Sequence, residues 1–179
     1  MEADFVAWKC EQCGKTHDDA AESYGFDEPL PWSTLTEAER GGRSILREEF
    51  CILNDTHFFI RGCLEIPVID GQSAFVWGVW VSLSSANFDR SMNLWEDPKR
   101  VDEPPYFGWL SSRIPLYPDT FLLKTRVHTR ELGLRPRIEL EPTSHLLSIE
   151  QRQGITRDRL REIASLMEHD WVHPKWDCN

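Results

Sequence analysis

No run of this chain approaches the ~18 uninterrupted apolar residues that a membrane-spanning helix needs. The amino terminus, Met1-Glu2-Ala3-Asp4-Phe5, is acidic where an export signal is basic and then apolar. No membrane partner is expected, and a cytoplasmic location is. Positive charge is scarce: 20 Lys and Arg stand against 30 Asp and Glu, for a net charge of −10. Duplex binding rests on Lys and Arg neutralising phosphates, so no nucleic-acid partner is expected. The G-x-S-x-G elbow, the G-x-x-x-x-G-K-[ST] phosphate loop, G-x-G-x-x-G and H-E-x-x-H are all missing, which removes the usual signatures of serine hydrolases, nucleotide and dinucleotide sites and zinc proteases. Cysteine is limited to five residues, an odd number that with no export signal fits a reducing compartment better than a disulfide framework. There is no internal repeat and no low-complexity tract.

At 179 residues the chain is long enough for one domain with a substantial core. We divide it into a metal knuckle and acidic arm (1–33), an α+β core (34–169) and a tail (170–179). Charge is uneven. Residues 1–40 hold ten acidic and three basic side chains, net −7, whereas residues 113–161 hold six acidic and ten basic, net +4. An acidic surface of this kind either is simply solvated or steers a basic partner.

Element signals point to α+β with a mainly antiparallel sheet, peripheral helices and an N-terminal CxxC knuckle. Phe5 to Cys10 reads as a short strand, and residues 18–33, with Pro29 and Pro31, as an ordered loop or an arm lying on the surface. Thr36-Glu37-Ala38-Glu39 is a capping box that starts a short helix ended by Gly41-Gly42. Strands are predicted over 49–54 and 57–66 with a tight turn at Asn54-Asp55, and after a turn at Asp70-Gly71 over 74–84. Ser84 or Ser85 caps a helix to about Glu96, with Phe88, Met92 and Trp95 on one face. Further strands are expected at 106–110, 121–129 and 136–141, and a last helix over 157–169 with Leu160, Ile163, Ala164 and Met167 as its apolar stripe.

In the 74–84 segment Phe75, Trp77, Val79, Val81 and Leu83 share one face, and the other still carries Val76, Gly78 and Trp80. A strand apolar on both faces is usually central and covered on both sides. Alternatively Trp80, beside Gly78, lines an aromatic groove, and Phe107-Gly108-Trp109 repeats the pattern; Gly in a strand marks a bulge or a close approach. Trp80 and Trp109 are therefore candidate binding residues. If Arg130 pairs with Arg135, His128 falls opposite Arg137, Arg126 opposite Glu139 and Lys124 opposite Glu141. That face is either a solvated charge ladder or a polar site in which His128 and a carboxylate do chemistry or bind an anion. His145, with Thr143, Ser144, Glu150 and Gln151 near, is the remaining acid–base candidate, although Thr143 or Ser144 more simply caps a helical turn.

Cys10-x2-Cys13 followed by Gly14 is the motif with the clearest mechanism. Two intervening residues let both thiolates face one ion, and the glycine relieves the tight turn. Tetrahedral zinc needs four ligands. His17 is the natural third, and the fourth comes from Cys51, Cys63, Cys178, His169 or His173. Cys51 is preferred because it opens a core strand. The alternatives are unliganded thiols and a redox dithiol, the latter expecting a helix N-terminus.

Several segments together resemble a known family: Cys10-x2-Cys13-Gly14-x2-His17, Phe58-Phe59-Ile60-Arg61-Gly62, Trp77-Gly78-Val79-Trp80-Val81-Ser82-Leu83-Ser84, Tyr106-Phe107-Gly108-Trp109-Leu110, Arg135-Pro136, Glu139-Leu140-Glu141-Pro142-Thr143-Ser144-His145, Glu150-Gln151-Arg152 and Gly154-Ile155. Over residues 10–168 the chain is similar to the uncharacterised bacterial family called domain of unknown function 2199. The resemblance implies a bacterial, single-domain protein with no assigned reaction, and it carries Cys10, Cys13 and His17 across as a set. Where the family pattern has a proline after His145, this chain has Leu146-Leu147, which counts against a catalytic loop there. The expected function is a zinc-stabilised binding module engaging a protein partner through the Trp80/Trp109 region or the acidic first third. A narrower version is an immunity-type protein covering the basic site of a bacterial toxin. The other class is an enzyme using His128 or His145 with Glu139, Glu141 or Glu150, whose groups would have to converge in a pocket.

Overall fold

β-Branched and aromatic residues crowd the stretch from Phe50 to Leu83, and the computed structural model lays the longest strands there. It describes residues 7–10, 13–17, 22–69 and 73–169. In chain order the elements are β1 (Trp8–Lys9), β2 (Thr16–His17), β3 (Ser23–Gly25), α1 (Leu30–Ser33), α2 (Glu37–Arg40), β4 (Ile45–Leu46), β5 (Phe50–Leu53), β6 (His57–Pro67), β7 (Ala74–Leu83), α3 (Ser85–Asn93), β8 (Tyr106–Leu110), β9 (Lys124–His128), β10 (Arg137–Leu140), α4 (Leu146–Gln153) and α5 (Arg157–His169). No helix among them is long and apolar enough to cross a membrane.

β5 turns into β6 through Asn54 and Asp55, whose φ angles of 50° and 56° give the left-handed turn that matches strand twist. β6 and β7 pair antiparallel from Phe58 against Leu83 to Pro67 against Ala74. The chain then meanders through β8, β9 and β10, each antiparallel to the last. Five strands in a meander leave the first and last pointing the same way, so the ring can close only through a parallel pair. β10 meets β6 in that sense, Arg137 against Cys63. The result is a closed five-stranded barrel, extended by β5 and β4 beyond β6 and by β3 beside β7. This is the expected α+β class with a mainly antiparallel sheet.

Ile60, Leu64, Val81, Leu110, Val127 and Ile138 are fully buried. Two glycines let the barrel walls approach. A Cβ on Gly62 would lie 2.6 Å from Ile138 Cδ1 and 2.8 Å from the Pro136 carbonyl oxygen, and one on Gly108 2.7 Å from the Ser82 carbonyl oxygen. The close approach that Gly108 signals is therefore made by β7 of the same chain.

The capping box at Thr36 forms as expected, with Glu39 bonded back to the Thr36 amide at 2.8 Å. Ser84 caps α3 by accepting from the Asn87 amide at 3.2 Å. That helix stops at Asn93 rather than Glu96, and Trp95 instead stacks under Arg100, 4.9 Å from its guanidinium carbon. α5 spans the predicted residues, with Ile163, Ala164 and Met167 buried. β9 starts at Lys124, later than expected, because Leu122 takes a φ of 64°. The turn at Asp70-Gly71 and the start of the strand at Phe5 lie outside the described residues.

Residues 18–33 are not a surface arm over their described part. Ser23–Gly25 pairs parallel with β7 at Val76–Gly78, and Tyr24, Phe26 and Trp32 are buried. The physical reason is the Tyr24-Gly25-Phe26 alternation, which puts two rings against Trp77, 6.1 and 6.5 Å from its centroid.

Gly62→Ala is expected to lower stability by about 1–3 kcal/mol, as overpacking does. Gly42→Ala, whose new atom would meet nothing nearer than 3.9 Å, should stay within about 0.5 kcal/mol of the parent. Urea denaturation of both variants checks the contrast.

Candidate metal centre

β1 and β2 form a minimal hairpin whose connection is the CxxC turn. The Cys10 amide donates to the Lys15 carbonyl and the Gly14 amide to the Cys10 carbonyl, both at 2.9 Å. Gly14 takes a φ of 69°, which L residues with a Cβ adopt reluctantly. The turn aims the Lys15 amide at Cys13 Sγ, 3.4 Å away. One step on, His17 stands opposite Trp8 and stacks on its indole at 5.2 Å.

The last turn of α5 arrives from the other end of the chain. Ser165 Oγ lies 3.1 Å from Cys10 Sγ, Glu168 Oε2 3.1 Å from His17 Nδ1, and the His169 ring 5.6 Å from that of His17. One ligand atom from each of Cys10, Cys13, His17 and His169 lies within 4.8 Å of the other three. Cys10 is fully buried, whereas Cys13 is exposed.

The donor set fits a metal ion. A tetrahedral ion with bonds of about 2.0–2.3 Å holds its ligand atoms about 3.3–3.8 Å apart, and Cys13 Sγ lies 3.4 Å from His17 Nε2. The other nitrogen of His17 is engaged by Glu168, the carboxylate–imidazole arrangement that orients ligating histidines. Behind it the Tyr24 hydroxyl donates to Glu168 Oε1 at 3.4 Å. Burial, then the Glu168 charge, raises the Tyr24 phenol above its ordinary value, so it remains a donor.

Cys51, the expected fourth ligand, is not in this group. It is fully buried on β5 opposite Phe59. Burial, then the charge of Glu28, pushes its thiol up to about 12, away from the thiolate that metals take. His169 replaces it. Cys63 is buried on β6 and disulfide-bonded, which takes it out of the ligand set and departs from the expected absence of disulfides; Cys178 and His173 lie outside the described residues.

The remaining candidates are dispersed. Trp80 lines no open groove: it is fully buried, donates from Nε1 to the Phe26 carbonyl at 2.8 Å and lies under Arg61 at 5.4 Å. Trp109 is exposed and packs edge-on against Phe107 at 5.1 Å. His128 and Arg137 pair across β9 and β10 in the expected register. Glu139, opposite Arg126, leans instead to His128 Nε2 at 2.6 Å. Glu139 also lines a polar cleft of about 440 Å³ with Glu65, Arg137 and Arg152. His145, rather than Thr143 or Ser144, caps α4: its Nδ1 accepts from the Leu147 amide at 3.2 Å and its Nε2 faces the Pro118 carbonyl at 3.3 Å. Both ring nitrogens are thus committed, which leaves no free base.

The family model described as an uncharacterised protein conserved in bacteria, domain of unknown function 2199, matches residues 9–155. The chain belongs to this family. No curated protein and no solved structure matches it. Three of the four candidate ligands, Cys10, Cys13 and His17, lie within the matched residues, and His169 lies beyond them.

His169→Ala is expected to weaken metal binding at least about tenfold and Glu168→Gln by roughly 10–100-fold, while Cys51→Ala retains the affinity of the parent. Competition with a chromogenic chelator reads all three.

Proposed function

We propose that the protein is a zinc-stabilised binding module whose knuckle is structural and whose exposed surface engages a protein partner. The observation that carries the metal half is the convergence of two cysteine and two histidine side chains on one point. Two thiolates with two imidazoles are a donor set that suits zinc, and four protein ligands close its coordination shell, as in structural rather than catalytic sites.

The binding half rests on charge and on exposed aromatics. Phe107 and Trp109 are 44% and 38% exposed, and paired exposed rings are the kind of anchor that interfaces use. The net charge of −7 over residues 1–40 favours a basic partner, because acidic surfaces speed and orient such encounters.

One observation supports the enzyme reading as an alternative: the His128–Glu139 contact beside the polar cleft is the acid–base pairing that reading needs.

Elemental analysis of the purified protein should find close to one zinc per chain, lost in a Cys10→Ser/Cys13→Ser variant. Zinc removal should lower the melting temperature, at roughly 2–4 °C per kcal/mol of lost stability for a chain of this size. Zinc loss with unchanged melting would contradict the structural role. For the partner, Phe107→Ser/Trp109→Ser should melt like the parent yet lose co-purifying protein from a bacterial lysate.

A further inference from the structure

The segment joining β3 to α1 and the loop from β8 to β9 face each other across a cavity of about 850 Å³. Its walls are tied together and pre-formed. The Leu30 amide donates to the Ser111 carbonyl at 2.8 Å, and buried Thr120 holds the loop by accepting from the Ile114 amide and donating to the Ser112 carbonyl, both at 2.9 Å. Phe26, Leu30, Ile114, Pro115 and the ring of Tyr117 supply an apolar lining. Tyr117 is fixed in place by its hydroxyl bond to Glu150 and by Arg159, 5.4 Å from its ring centroid. A volume in the 300–1,000 Å³ range with apolar walls is what small-molecule sites have.

The charged groups at this cavity are not equivalent. Arg113 and Asp119 neutralise each other at 3.0 Å, and Asp27 faces the Arg61 guanidinium at 3.5 Å. Glu28 is half-buried, and among the described residues no donor or cation engages its carboxylate. A carboxylate left uncompensated at an apolar cavity attracts a cation that can bring its own apolar body. With Asp27 and Asp119 each paired to an arginine, Glu28 is the carboxylate left to draw a cation into the apolar cavity.

We infer that this cavity is a binding site for a small organic cation, an ammonium group carried on an aromatic or aliphatic body, with Glu28 as its counter-ion. The inference is independent of the metal knuckle, and zinc content reports on that knuckle separately.

Calorimetric titration at neutral pH with phenethylamine, 2-phenylethanol and phenylacetate tests it. The amine should bind, the alcohol about tenfold more weakly and the acid not detectably, tenfold being about 1.4 kcal/mol. Glu28→Gln should bring the amine down to the level of the alcohol and leave the alcohol unchanged. Ser33→Trp, at the rim, should block both while melting like the parent. Equal binding of amine and alcohol, an unaffected Glu28→Gln variant, or no binding of the amine at tens of millimolar would each overturn the inference.

Discussion

The parallel contact between β10 and β6 is the constraint on which the rest of the molecule hangs, since a five-stranded meander closes in no other way. Only Arg137 and Cys63 are paired there in strand geometry, supplemented by the Cys63 amide donating to the Pro136 carbonyl at 2.8 Å. Side chains around the seam make up for this thin ladder. Arg135 grips Glu49 at 2.6 Å, and Arg130 grips Glu65 at 2.7 Å while its Nε donates to the Arg135 carbonyl at 2.8 Å. Arg135 is largely buried, so these pairs hold β5 and β6 against the end of the β9–β10 hairpin with less screening than surface pairs have. Gly62 completes the seam by letting Ile138 and Pro136 lie against β6.

Everything outside the barrel has to be attached to it, and the amino-terminal hairpin has least to hold it. Two residues per strand are far too few to be stable alone. Besides Trp8 against the core, its described polar attachments include Cys10 to Ser165 and His17 to Glu168, both on the C-terminal part of α5. A metal held by Cys10, Cys13, His17 and His169 would tie the two ends of the fold together, and its binding energy would then be folding energy.

What could be read from the sequence was mostly local. The Asn54-Asp55 turn, the capping box at Thr36 and the His128–Arg137 register each depend on a few adjacent residues. Cys10, Cys13 and His17 belong to the same class, since one short turn and strand positions all three. His169 does not, because its place depends on how α5 packs 152 residues away from His17. Cys51 misled for the converse reason: opening a core strand made it ordered, and also buried it beyond reach. Tyr24 and Phe26 were obscured by the acidic and proline-rich residues around them, although their two-residue spacing was a strand signal. His145 resembled a base in sequence and became a cap, because the amides at the start of α4 needed an acceptor.

The metal knuckle is the central claim, and its ligand set is open to direct inspection. X-ray absorption at the zinc edge on the purified protein should report two sulfur neighbours at about 2.3 Å and two nitrogens at about 2.0–2.1 Å. A shell of three sulfurs, or one of light atoms without sulfur, would contradict the assignment of Cys10, Cys13, His17 and His169.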